Sequence, residues 1–331
     1  MAAIRIKSLV LSMTMSLAGL TSASSAEKVV YQLGWVPGGS NAIEYVAKAR
    51  GLFAAEGLDV DILSGNGGSD TLTRVAAGAA DIGIVGIESV MGALAEQKLP
   101  VKVVFALYNK KPDSIHVPAS SPVKAIADLK GRKLATASFS SSNVVWPIFA
   151  KRNGLDPASV ELMKVDAAAV APMMAAGQAD ALINWVTVAA LDAAVMKEAG
   201  KGMRVIPWSD FGYEGYGQSL VVNENLLSKK PEVVKAFLRA FVKATAIAIA
   251  DPRDAGNAIH EIVPEVDPVI ASQEFAASIP LIQNEISKKD GLGAIEANRL
   301  KTTWDWVAQS RSLPQDAINP AALIDMTYLP K

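Results

Sequence analysis

The residue types able to do chemistry gather at a few turns. Trp35-Val36-Pro37-Gly38-Gly39-Ser40-Asn41 follows an apolar run, and its glycines allow a backbone to approach a ligand closely. Asn41, with Glu44 three residues on, has the spacing of a capping pair. Ser64-Gly65-Asn66-Gly67-Gly68-Ser69 is a second turn with exposed amides, and it lacks the Gly-Lys-Ser/Thr ending of a phosphate loop. Ser138-Phe139-Ser140-Ser141-Ser142-Asn143 opens a helix whose free amides and partial positive charge suit an anionic group. Asn184-Trp185 closes a further apolar run, where Trp185 could stack on a flat ligand. Trp35, Trp146, Tyr213 and Tyr216 are further aromatic surface. Glu88, Asn109 and Glu214 fall at comparable turns. Aromatic walls with a few fixed polar groups are the makings of a small-molecule site.

Covalent and metal chemistry have little to work with. The 331 residues contain no cysteine, which excludes disulfides, zinc–thiolate sites, iron–sulfur clusters and a thiol nucleophile. The two histidines, His116 and His260, make no metal set, and no Gly-x-Ser-x-Gly elbow occurs. The expectation is therefore a binder without catalytic residues, metal or cofactor. A net charge of −1 and a pI near 6.2 argue against a nucleic-acid partner. Arg74 lies four residues after Asp70 in one helix, the spacing of a surface ion pair, and Lys110 is the one other cation near a strand-end turn. A small inorganic anion usually calls for a fixed cation. The turns thus favour an organic ligand with a flat or heterocyclic part.

These turns need strands and helices to hold them. Apolar runs at Val29–Gly34, Asp59–Leu63, Asp81–Val85 and Val101–Leu107 read as strands, separated by helices over Asn41–Arg50, Asp70–Ala77 and Glu88–Gln97. After Pro118 the alternation resumes, with strands at Lys133–Ala137, Val160–Val165, Asp180–Asn184 and Met203–Ile206. Helices fall over Ser142–Arg152, Ala168–Ala176 and Val188–Ala199. Short apolar strands alternating with helices imply mostly parallel sheets, with ligands at the carboxyl ends of the strands. An internal echo supports two similarly built α/β units. Ala-Ala-Gly-x-Ala-Asp occurs at 76–81 and at 175–180, and Gly-Leu-Asp occurs at 57–59 and at 154–156, each before a strand. Beyond Ser219–Asn223 the pattern turns helical, as expected of helices returning to cover the first unit.

Residues 1–26 read as a cleaved secretory signal: Arg5 and Lys7, an apolar stretch over Ser8–Leu20, then small residues ending Ser24-Ser25-Ala26. That predicts export, and in a bacterium with two membranes a periplasmic protein.

The stretch YVAKARGLFAAEGLDVDIL, followed by GAADIGIVG and IADLKGRKLA, resembles the periplasmic solute-binding proteins of ABC importers, in the group for nitrate, sulfonates, taurine and thiamine-pyrimidine precursors. The resemblance implies a two-lobed clamshell of the type II kind, with residues 27–116 plus 219–331 as one lobe and 117–218 as the other. It further implies crossover strands near Ile115–Val117 and Gln218–Val222 and a monomer that passes its ligand to a permease and ATPase. The alternatives are a ligand sensor for a membrane receptor or a pyrimidine-synthase-like enzyme. The latter family relies on a cysteine cluster, which this chain lacks.

Overall fold

The computed structural model describes residues 26–330; the expected signal segment, apart from Ala26, lies outside the described residues. The first sheet takes β1 (Glu27–Gln32), β2 (Leu58–Leu63), β3 (Ile82–Gly86), β4 (Val101–Ala106) and, from much later in the chain, β10 (Gln218–Asn223). Its order is β2-β1-β3-β10-β4, and only β10 runs antiparallel. The second sheet takes β5 (Asp113–Pro118), β6 (Lys133–Ala137), β7 (Glu161–Val165), β8 (Ala181–Trp185) and β9 (Met203–Pro207) in the order β7-β6-β8-β5-β9, with β5 antiparallel. The two sheets share one strand order, and each receives its antiparallel member from a chain passage that crosses between them. The expected fold, two mostly parallel sheets flanked by helices, is the one observed.

The repeated sequence motif has a physical counterpart. Gly78 and Gly177 both take φ near +73°, a left-handed stop that L side chains resist. The aspartate that follows then pins a neighbouring parallel strand, β1 in the first sheet and β6 in the second. Asp81 Oδ2 accepts from the Val30 amide and Asp180 Oδ2 from the Lys133 amide, each at 2.8 Å.

Helices fill both faces. In the first half lie α1 (Ala42–Ala49), α2 (Leu52–Ala55), α3 (Gly68–Ala76) and α4 (Ile87–Leu94); in the second, α5 (Ser142–Arg152), α6 (Val170–Ala175) and α7 (Ala189–Glu198). The C-terminal part is helical: α8 (Glu224–Lys229), α9 (Pro231–Ala250), α10 (Pro252–Ile262), α11 (Pro268–Ile282), α12 (Glu285–Asp290) and α13 (Ala297–Ser310). No helix among the described residues is long and apolar enough to cross a membrane. Proline supplies N1 of α9, α10 and α11, where no amide hydrogen is needed.

Three expectations need correction. β5 pairs only within the second sheet, so residues 113–116 belong with that sheet, and Gln218 belongs with the first. Neither antiparallel strand bridges the sheets; the chain passes between them through 107–112 and 208–217. The C-terminal helices also do more than cover the first unit. α9 and α10 do pack there, through Phe237 stacked on Tyr31 and Phe53. But α13 lies against both α4 and α5, and α11 against both the turn before α1 and the helix α7. One continuous apolar core therefore joins Val85 and Met91 to Val145 and Trp304 behind the cleft.

Candidate functional site

The carboxyl ends of β1, β2, β3, β6 and β8 converge on one cavity of about 30 Å³. From the first half it is lined by Gly34, Trp35, Ser40, Gly67, Gly68 and Gly86. The second half contributes Ser140, Ser141, Asn184, Trp185 and Val188. Ile84, Val85 and Gln218 complete it. That volume holds about two water molecules and no aromatic ring. No lysine or arginine lines it.

The cavity is small because the two halves are shut on each other. The Ser69 amide donates to the Phe139 carbonyl at 3.0 Å, the Ala167 amide to Asn66 Oδ1 at 3.0 Å, and Ser89 Oγ to Ser141 Oγ at 3.1 Å. Glycine makes this approach possible. A Cβ on Gly67 would overlap the Phe139 backbone, and one on Gly68 or Gly86 would overlap the Ser141 side chain. Each half also sends one tryptophan across: Trp35 packs against the second half's core and Trp185 against the first half's.

Beneath the cavity a buried ionic network ties the two chain passages together. The Lys111 ammonium, from the first passage, pairs with the Glu88 carboxylate and lies 4.9 Å from the Tyr213 ring of the second passage. Tyr213 Oη donates to Glu88 Oε1 at 2.9 Å. Asp113 accepts from Ser142 Oγ, which in turn accepts from the Trp185 indole N–H at 3.1 Å. Burial first, then the nearby Glu88 charge, pushes the Asp113 carboxyl up to about 7, with Lys111 and Ser142 acting the other way. His116 is buried between Asp192 and Ser114, a structural role.

The expected site residues thus divide. Trp35, Ser40, Gly67, Ser140, Ser141, Asn184 and Trp185 line the cavity. Asn66 and Phe139 stand at its edge and hold the halves together through the contacts above. The rest go elsewhere, for identifiable reasons. Gly38 and Gly39 approach helix α11 and not a ligand: the Gly39 amide donates to Glu274 Oε2 at 2.6 Å, and Gly38 has room only for its hydrogen there. Asn41 makes no cap, since Glu44 instead accepts from Tyr31 Oη at 2.5 Å. Glu88 is spent on Lys111. Asn109 is buried against Asn284 of the C-terminal region, and its carbonyl accepts from Arg299 at 2.6 Å. Ser138 donates to the Val165 carbonyl, and Asn143 closes its own turn onto Ala137 and Thr136. Glu214 is exposed outside the cavity. Trp146, Tyr213 and Tyr216 are core. Asp70 and Arg74 form the expected pair at 2.9 Å, and Lys110 pairs with Glu285 at 3.1 Å. The turn before α5 also spends amides that had looked free: those of Asn143 and Val144 donate to Ser140 and Ser141 carbonyls. With Asp113 below, this helix end offers little to an anion.

Gly34, Ile84, Val85, Gly86, Val188 and Gln218 were not foreseen, while Gly68 belongs to the Ser64–Ser69 turn named from sequence. Gly86 carried a signal, because it ends a strand at the position equivalent to Trp185. Gln218 carried none, since it arrives from the far end of the chain.

Comparison with known proteins places this arrangement in context. Residues 40–255 match the family model described as NMT1/THI5 like. The riboflavin-binding protein RibY of Chloroflexus aurantiacus is 26% identical over 275 residues, covering 81% of this chain and 76% of that protein. A formylaminopyrimidine-binding protein of Halalkalibacterium halodurans is 27% identical over 258 residues, covering 78% and 74% respectively. Among solved structures, the alkanesulfonate-binding protein SsuA of Xanthomonas axonopodis pv. citri, bound to MOPS, superposes with a TM-score of 0.69 at 18% identity, covering 91% of this chain and 98% of that one.

Proposed function

The chain belongs to the NMT1/THI5-like family, and from that premise we propose that it is the solute-binding component of an ABC importer. It captures a small organic ligand between two lobes and delivers it to a membrane permease and its ATPase. The lobes divide at the chain passages, near residues 107–112 and 208–217. On this reading the first 26 residues are an export signal, and the mature protein works as a monomer in the periplasm, where related binding proteins act.

The observation that carries the proposal is the cavity shared by the strand ends of both sheets and shut by direct contacts across it. A site built half from each lobe couples binding to closure, because a ligand touching both walls stabilises only the shut state. At about 30 Å³ it admits a ring only after the lobes part, which breaks the hydrogen bonds across the cleft and unpacks Trp35 and Trp185 from the opposite halves. Two tryptophans and no cation at the wall support a flat, nitrogen-rich ligand over a sulfonate or nitrate. The names of the riboflavin- and formylaminopyrimidine-binding relatives agree with that preference. The chain has no cysteine, which disfavours the enzyme alternative.

A thermal-shift screen over flavins, pyrimidines, aromatic acids and sulfonates tests this reading, followed by small-angle scattering with the best binder. The expected outcome is a melting temperature that rises with ligand and a smaller radius of gyration for the bound state than for the ligand-free protein. A screen led by nitrate or sulfate, or a ligand that leaves scattering unchanged, would sink it.

A further inference from the structure

Behind the cavity wall lies a junction that the closed lobes leave chemically unfinished. Three elements meet there in mutual contact: the turn Gly39–Asn41 before α1, the turn Val186–Val188 before α7, and helix α11. Each brings a buried polar side chain, and on two of them a polar atom has no hydrogen-bond partner. On Asn41 both amide atoms are free and on Glu274 the Oε1 oxygen, while the Thr187 hydroxyl has Tyr108 Oη beside it. All three residues are at least 98% buried. Ser40, next to Asn41, and Val188, next to Thr187, line the cavity, and Gln218 in the cavity itself has an unpartnered Oε1. Leaving such groups unmatched costs about 1–3 kcal/mol each, so a partner is strongly favoured.

We infer that Asn41, Thr187 and Glu274 form a second compartment of the ligand site, reached when the lobes part, which takes a planar hydrogen-bond-donating group and rejects anions. This rests on the cleft reading above and adds the ligand's chemistry to it. The free atoms include the acceptors Asn41 Oδ1 and Gln218 Oε1, joined by Glu274 Oε1 when that carboxyl is ionised, so the incoming group must supply N–H. The carboxyls facing the junction are Glu274, Asp192 and, through Tyr108, Glu44; no lysine or arginine stands among them. Burial, and secondarily the Asp192 charge, raises Glu274 to about 8; since Oε2 accepts from Gly39, the acid form carries its proton on Oε1 and donates to a neutral ligand's acceptor, whereas an amidinium meets the carboxylate. A primary amide, an amidine or an amino-substituted nitrogen heterocycle satisfies both states. The ring of such a ligand would lie toward Trp185, whose own ring is 6.3 Å from that of Tyr108.

A matched set of ring probes tests this: benzamidine, benzamide, 4-aminopyrimidine, toluene and benzenesulfonate, titrated calorimetrically into the wild-type chain and into Glu274→Gln, Asn41→Ala and Trp185→Ala. Benzamidine and 4-aminopyrimidine are expected to bind, and toluene and benzenesulfonate to bind at least about tenfold more weakly. Glu274→Gln should weaken benzamidine by about tenfold or more, and Asn41→Ala should weaken 4-aminopyrimidine similarly, while Trp185→Ala weakens every ring. Glu274→Gln keeps an oxygen for the Gly39 amide, so its ligand-free melting temperature should not fall. Benzamidine binding that Trp185→Ala abolishes and Glu274→Gln leaves intact overturns the compartment and spares the cleft. Benzenesulfonate binding as tightly as benzamidine also overturns it. If no ring probe binds at all, the compartment and the flat-ligand reading fall together.

Discussion

The two halves of the cleft are built on one strand order and furnish it in opposite ways. After β3 the first half presents Gly86, and after β2 it presents Gly67 and Gly68, so its wall is mostly backbone. After β8 the second half presents Asn184 and Trp185, and after β6 it presents Ser140 and Ser141, so its wall is mostly side chain. A smooth wall lets a textured one seat against it at hydrogen-bond distance, which is how Ser69 reaches Phe139 and Ala167 reaches Asn66. Duplicated topology therefore does not imply duplicated roles. At these strand ends one lobe supplies mainly the close fit and the other most of the side chains.

The largest effect should come from adding texture to the smooth wall. Gly86 has ordinary extended dihedrals (φ −65°, ψ 128°), so a side chain there meets no backbone strain, only the Ser141 side chain opposite and the tip of Glu88. Gly86→Val should hold the lobes apart and lower ligand affinity by about a hundredfold, as seen by calorimetry together with a larger radius of gyration in scattering. Pairing Gly86→Ala with Ser141→Gly should recover much of the affinity that Gly86→Ala alone loses; no recovery would mean that the two walls do not limit each other. Next in size, Trp185→Ala should cost about tenfold to a hundredfold in affinity, while its counterpart Trp35→Ala costs less, because only Trp185 has its ring N–H fixed, by Ser142. Equal losses would erase the proposed asymmetry.

The smallest effect concerns pH and compares buried carboxyls in the two halves. Burial raises Glu44 to about 7 in the first half, and burial with the Glu88 charge raises Asp113 to about 7 in the second. A carboxyl held above its free value favours the protonated native state. Its stabilising contribution is complete below its free value, 4.5 for Glu44 and 3.8 for Asp113, and is lost as pH rises through 7. The ligand-free protein should thus melt lower at pH 8 than at pH 5. Glu44→Gln and Asp113→Asn should each flatten that slope, measured by calorimetric scans across the range. A melting temperature that climbs with pH over the same interval would contradict both assignments.

Much of this architecture is legible in the chain. Apolar runs of five or six residues flanked by glycine and aspartate marked the strands, and the repeated Ala-Ala-Gly-x-Ala-Asp motif pointed to two like units. Its aspartates turn out to pin β1 and β6 in the same way. The site was half legible. Strand-end turns located Trp35, Ser40, Gly67, Ser140, Ser141, Asn184 and Trp185 at the cavity, because topology sends those turns to one edge. Gly38 and Gly39 looked equivalent to Gly67 in sequence, but a glycine announces only that something comes close. Here that partner is Glu274, 235 residues away from Gly39. Glu88 and Asn109 were misjudged for the same reason, their partners being Lys111 across a chain passage and Asn284 in the C-terminal region.

By itself the sequence determined the local order: which segments form strands, where helices stop, and that thiol chemistry is excluded. These follow from side-chain period, backbone preference and composition, all properties of neighbours along the chain. Only the tertiary structure decided which turns face each other, which carboxyls lose their water and which amides keep a free valence. Those outcomes depend on packing among residues far apart in sequence, where burial and distance set the energy of every polar group.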